Sequence, residues 1–123
     1  MTEISPGSIQ SGLFTDFYEL TMVQGYLRYD TNPQVVFDMF FRRQPFGGGF
    51  TVYAGLEELI DRILSFRFTE EEIEYLRAQG LFREDFLSQL ADFQFQGSIW
   101  SVPEGSIVFP GEPLIRIHAS LVE

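Results

Sequence analysis

A chain of 123 residues, 45% of them hydrophobic, is long enough for one small domain with a packed core and short for a complete enzyme that also holds a cofactor. A net charge of −10 argues against a general nucleic-acid or anionic-membrane surface, and the lack of cysteine excludes disulfides, thiolate zinc sites and cysteine nucleophiles. One histidine, His118, cannot build a multi-histidine metal site. No apolar span approaches the roughly 18 residues of a membrane helix and no basic-then-apolar leader is present, so a cytoplasmic protein is expected. All eight basic residues are arginine, and fourteen phenylalanines imply either a bulky aromatic core or an apolar surface awaiting a partner.

In chain order, residues 1–12 are rich in Ser, Gly and Pro and read as a flexible arm, leaving 13–123 as the domain. Thr15 reads as an N-cap, with Asp16 and Glu19 in the first turn, where the helix dipole favours negative charge. The helix is expected over about 16–29. Phe17, Leu20 and Leu27 form one stripe and Tyr18, Met22 and Tyr26 another, a pattern that predicts burial on more than one side. After the turn Asp30-Thr31-Asn32-Pro33, residues 35–42 alternate as a strand, which would send Arg42 and Arg43 to opposite sides. Residues 50–54 suggest a second short strand. Leu56, Leu59, Ile60, Ile63 and Leu64 then fit an amphipathic helix.

Thr69 and Glu72 form a capping box that opens a helix closed by Gly80, with Ile73 and Leu76 inward. A further helix over 83–92 buries Phe86, Leu87 and Leu90. Beyond Phe93, strands are expected over 95–102, 106–109 and 114–119, separated by the turns Pro103-Glu104-Gly105 and Pro110-Gly111-Glu112-Pro113. Helix, strands, helices, then strands is an α+β order rather than βαβ winding.

Two stretches could carry chemistry. One is Arg42-Arg43-Gln44-Pro45-Phe46-Gly47-Gly48-Gly49, where arginine forks beside a freed backbone suit a phosphate or carboxylate. The same stretch also reads as a glycine-rich turn with solvated arginines. The other is Thr15-Asp16-Phe17-Tyr18, where a tyrosine can stack a flat ring and a carboxylate can orient a ring nitrogen or hydroxyl, although Tyr18 also reads as a half-buried packing residue. His118 shares a strand face with Leu114 and Arg116 and reads as structural. No serine–histidine–acid set and no carboxylate pair stands out.

Together these stretches resemble the opening of nicotinate phosphoribosyltransferases. The resemblance is carried by Thr15-Asp16-Phe17-Tyr18-Glu19-Leu20-Thr21-Met22 with Gly25-Tyr26, and by the run from Phe37 through Arg42-Arg43 to Gly49. Ala54-Gly55-Leu56-Glu57, Phe66-Arg67-Phe68-Thr69-Glu70, Pro103-Glu104-Gly105 and Phe109-Pro110-Gly111-Glu112-Pro113-Leu114 follow in family order. It implies the N-terminal domain of a type II phosphoribosyltransferase, with helices packed on a mostly antiparallel sheet and the family's α/β barrel following the part seen here. The implied whole enzyme joins nicotinate to phosphoribosyl pyrophosphate, coupled to ATP hydrolysis with Mg2+, in NAD salvage. It does so as a homodimer whose site is shared across the interface.

By the same resemblance Tyr18 stacks on the pyridine ring, Asp16 lies beside it, and Arg42, with Arg43 as its neighbour, reaches the phosphate region. The 123-residue chain by itself is expected to bind no cofactor and not to turn over nicotinate. Two alternatives accompany this reading: a non-catalytic interaction module or truncated relative, and a nicotinamide-using transferase. The latter shares the early aspartate–tyrosine pair but is not expected to carry the F-F-R-R-x-P-F-G-G-G loop.

Overall fold

In the computed structural model, which describes residues 11–123, the chain order is α1 (Phe17–Arg28), β1 (Gln34–Met39), β2 (Thr51–Val52), α2 (Leu56–Ser65), α3 (Glu70–Ala78), α4 (Glu84–Ala91), β3 (Ser98–Ser101), β4 (Ile107–Val108) and β5 (Ile115–Ser120). Every strand pair among the described residues is antiparallel, as the α+β order predicts. The chain divides into two compact units, and the division falls inside α2. One unit holds the described residues up to Asn32, Arg62–Phe95 and Val122; the other holds Pro33–Asp61, Gln96–Leu121 and Glu123.

The helical unit has a core of Leu20, Ile73, Leu76, Phe82, Phe86, Leu87 and Leu90, against which Leu13, Val23, Leu27 and Phe68 pack. Leu76 and Leu87 are fully buried. The capping box forms as expected: the Thr69 hydroxyl accepts the Glu72 N–H, and the Glu72 carboxylate accepts the Thr69 N–H. Gly80 follows α3 at φ +67°, the left-handed conformation that suits glycine after a helix.

At α1 the structure corrects two expectations. The N-cap is Asp16 rather than Thr15, and the Asp16 side chain makes no capping bond; the Thr15 hydroxyl instead donates to the Glu19 carboxylate. The helix is also not buried on two sides. Leu20 is its one buried residue, while Tyr18 and Met22 of the second stripe are exposed and Tyr26 is half-buried. A periodic apolar stripe states that a face is apolar; it does not state that this chain covers it. Of the arm expected over 1–12, residues 1–10 lie outside the described residues, and Ser11 and Gly12 are already held by α3 and its approach.

In the sheet unit, β5 is the central strand of the order β1-β5-β3, while β2 and β4 form a separate two-stranded sheet. Tyr53, Val108, Leu114 and Ile115 make its core, with Phe41, Leu56, Leu59, Ile99, Val102 and Ile117 packed around them. The strands are shorter than their apolar runs. β1 ends at Met39 opposite Ile115, and continuing that register would set Phe41 opposite Pro113, which has no N–H to give. The ladder therefore breaks before the arginines. Arg42 and Arg43 sit in a bend, and strand alternation does not separate them.

Candidate functional site

The arginine–glycine loop is built by contacts that begin where β1 stops. The Met39 carbonyl accepts the Leu114 N–H at 2.8 Å and the Phe41 carbonyl accepts the Gly111 N–H at 2.9 Å, so the turn 110–113 holds the chain just before Arg42. Gly111 has φ +82°, a conformation that a side chain resists. Phe41 anchors the same point by packing on the sheet core. On the far side, Gln44 Nε2 donates to Thr51 Oγ1 at 2.7 Å and leaves its buried Oε1 without a partner among the described residues. Between those anchors the loop tip is a short 3-10 turn, Pro45–Gly47, in which Phe46 (φ 56°) and Gly47 (φ +65°) are both left-handed. The Phe46 ring is fully exposed.

The charges of this loop differ from those of the chain's paired arginines. Arg77 pairs with Glu74 and Glu84, Arg83 with Asp85, and Arg116 with Asp38; Arg28 lies over the Tyr29 ring, and Arg67 donates to backbone carbonyls. Arg42 and Arg43 are exposed and have neither a carboxylate nor a hydrogen-bond partner among the described residues. In a chain with 18 acidic residues, two adjacent arginines without a partner form a local anion-attracting point.

The second candidate lies on α1. Tyr18 is 58% exposed and stands in the first turn, where backbone N–H groups have no intrahelical acceptor. Asp16 precedes it as the N-cap, its carboxylate exposed. Phe17, between them, stays partly exposed and meets Phe82 edge-on with ring centroids 5.5 Å apart. The structure thus brings Asp16 and Tyr18 together on one turn and Arg42 and Arg43 together in one bend. The first pair belongs to the helical unit and the second to the sheet unit.

Sequence reasoning read several supporting residues only as turn formers. Glu104 Oε1 accepts the Leu56 N–H at 2.7 Å and also the Gly55 N–H, capping α2 from the Pro103-Glu104-Gly105 turn. Glu112 accepts the Phe109 N–H at 2.8 Å and closes the turn that holds Phe41. Their signal was an acid beside a glycine in each turn, which marks a turn without naming its distant partner. His118 lies on β5, exposed, with its ring stacked over Trp100 at a 24° interplanar angle. Beside it Asp38 and Arg116 form a bidentate pair at 2.8 and 2.9 Å, and the guanidinium's hydrogen bonds hold the Asp38 carboxyl below its ordinary value. That sheet face satisfies its own charges.

Residues 13–123 match the family described as the nicotinate phosphoribosyltransferase N-terminal domain. The chain belongs to that family. It is 40% identical over 111 residues to a nicotinate phosphoribosyltransferase of Mycobacterium tuberculosis, a match covering 90% of this chain and 24% of that protein. It is also 40% identical over 112 residues to the Bacillus subtilis enzyme, covering 90% and 23% respectively. A crystal structure of the human nicotinic acid phosphoribosyltransferase superposes with a TM-score of 0.76 at 32% identity, over 88% of this chain and 22% of that one. The chain thus spans about a quarter of the length of these relatives, in the part that forms the family's N-terminal domain. The fold class expected from the sequence is the fold found.

Proposed function

We propose that this domain serves a polypeptide of family length that forms nicotinate mononucleotide and pyrophosphate from nicotinate and phosphoribosyl pyrophosphate, with ATP hydrolysis coupled to the step, in the cytoplasm and as a homodimer. The observation that carries the reading is the pair of cations, Arg42 and Arg43, without a partner among the described residues and on a glycine loop that the family match covers. The relatives it matches are named for this activity.

In this transfer the pyridine nitrogen of nicotinate bonds to the anomeric carbon of the ribose as the bond to pyrophosphate breaks, and the leaving group departs with its electron pair. The step needs alignment of the two reactants and compensation of charge more than a protein nucleophile. Tyr18 offers an exposed ring for the pyridine to stack on. Asp16, on the same turn, offers a carboxylate that orients the ring. Arg42, with Arg43 beside it, offers fixed positive charge to the phosphates of the second substrate. The described residues contain no group of three or more His, Cys, Asp or Glu arranged to hold a metal ion. Mg2+ is usually held by one or two carboxylates together with substrate phosphates, so it belongs to this reading as a component of the substrate-loaded enzyme of family length.

Chromatography of the products from a purified polypeptide of family length tests the reading. Nicotinate mononucleotide is expected from nicotinate and phosphoribosyl pyrophosphate, with nicotinamide a poor substitute. Turnover of nicotinamide in preference would contradict the assignment of substrate, and product from the 123-residue chain alone would contradict the need for the rest of the enzyme.

A further inference from the structure

We propose that Ser11-Gly12-Leu13 is a strap that fixes the first turn of α1, and that Ser11, Gly12 and Glu72 are therefore positioning residues for nicotinate through Tyr18. The proposal rests on the role given to Tyr18 above. Its starting point is that α1 acquires a buried residue only at Leu20, so Asp16 and Tyr18 lie upstream of the helix's hold on the core. The Asp16 side chain makes no capping bond, and a first turn without one frays. Something else must order it.

Two contacts do so. Phe17 leans edge-on against Phe82. The strap supplies the other. The Ser11 hydroxyl donates to Glu72 Oε1 at 2.6 Å and accepts the Leu13 N–H at 3.2 Å, while the Ser11 carbonyl accepts the Phe14 N–H at 3.0 Å. Gly12 is buried against the Phe68 ring so closely that a Cβ there would stand 2.5 Å from Phe68 Cδ1. Leu13 then enters the helical core. Glu72 is shared between two tasks: Oε2 completes the capping box on Thr69 while Oε1 holds Ser11. One carboxylate ties the start of α3 to the approach of α1.

The strap is separable from the fold. The body of α1 is held by Leu20, Val23 and Leu27, and by Gln24, which donates to the Leu81 carbonyl and accepts the Arg83 N–H at 2.8 Å. Removing the Ser11 hydroxyl leaves all of that in place, and leaves the capping box as well. A loosened strap acts on the one turn that carries Asp16 and Tyr18, where a stacking partner that must first be ordered binds more weakly.

The test uses the polypeptide of family length with Ser11→Ala, Ser11→Thr, Gly12→Ala and, as reference, Tyr18→Ala. Steady-state kinetics are combined with hydrogen exchange of the amides over residues 15–19. Ser11→Ala is expected to raise the KM for nicotinate about threefold to tenfold, with kcat and the KM for phosphoribosyl pyrophosphate within about twofold. Its 15–19 amides should exchange faster while those of α3 and α4 do not change, and Ser11→Thr should restore both readouts. Gly12→Ala should act in the same direction as Ser11→Ala.

An unchanged nicotinate KM in Ser11→Ala, with Tyr18→Ala raised, would overturn the strap and leave the role of Tyr18 standing. A rise in both KM values together with faster exchange across α3 and α4 would show a merely structural contact and overturn it too. If Tyr18→Ala itself left the nicotinate KM unchanged, the reading of Tyr18 would fall, and the exchange data would then decide the strap alone.

Discussion

The Gly111 N–H donates to the Phe41 carbonyl at 2.9 Å, seventy residues away in sequence and one residue before Arg42. That bond takes over where Pro113 leaves β1 without a ladder partner, and it fixes the root of the arginine loop. Gly111 is held at φ +82°, so Gly111→Ala places a side chain in a disfavoured conformation. The expected loss is about 1–2 kcal/mol of stability, read as a lower urea midpoint at an unchanged slope. An unshifted midpoint would mean that the turn relaxes without strain.

Arg42 and Arg43 have no partner among the described residues, so truncating them should leave stability alone. Arg42→Ala is expected to keep the thermal midpoint within about 1 °C, since exposed side chains without partners contribute little. The same variant in the polypeptide of family length should raise the KM for phosphoribosyl pyrophosphate about tenfold or more, and that for nicotinate far less, as a charge-assisted contact is lost. Arg43→Ala should follow in the same direction with a smaller effect. If both substrates bound as before, the loop would be structural.

Glu104 caps α2 from a turn about fifty residues downstream, through the Gly55 and Leu56 N–H groups. Glu104→Ala removes both acceptor contacts at an exposed helix start. Destabilisation of about 0.5–2 kcal/mol is expected in chemical denaturation, with Glu104→Gln retaining most of the loss-free behaviour because one acceptor oxygen remains. Equal losses in the two variants would place the effect in charge rather than in capping.

Acid should unfold the helical unit through Glu72. Partial burial pushes its carboxyl up, but hydrogen bonds from the Ser11 hydroxyl and from Thr69 outweigh that and hold it below its ordinary value of 4.5. A depressed carboxyl contributes stability that is fully present above the unfolded value and is lost as pH falls through the lower folded one. Thermal midpoints should therefore hold at neutral pH and fall below about pH 4.5, and Glu72→Gln should flatten that fall. An identical acid slope in the variant would move the effect to other carboxyls.

Much of this fold could be read from local signals, and apart from the N-cap of α1, where Thr15 bonds Glu19 instead, the misses share a cause. The capping box at Thr69–Glu72, the stop at Gly80 and the inward stripe of Ile73 and Leu76 are local, and each stands where it was expected. The period of Leu56, Leu59, Ile60 and Ile63 likewise matches α2, while Leu64 of the same expected stripe is exposed. The other misses depended on distant residues: the end of β1 on Pro113, and the exposure of Tyr18 and Met22 on what this chain leaves uncovered. At the candidate site, Asp16, Tyr18, Arg42 and Arg43 are candidates that family motifs nominate. Their supports, Gly111 under Phe41 and Glu72 under Ser11, were not legible, because a turn glycine and a capping glutamate look complete within their own few residues.

The central claim is that α1 presents Tyr18 to the pyridine ring. Its most direct test is the KM for nicotinate of Tyr18→Ala in the polypeptide of family length, with Tyr18→Phe beside it. Loss of a stacking ring predicts a rise of about threefold to tenfold for alanine, near-normal behaviour for phenylalanine, and an unchanged KM for phosphoribosyl pyrophosphate. A nicotinate KM in Tyr18→Ala equal to that of the unaltered enzyme would contradict the account.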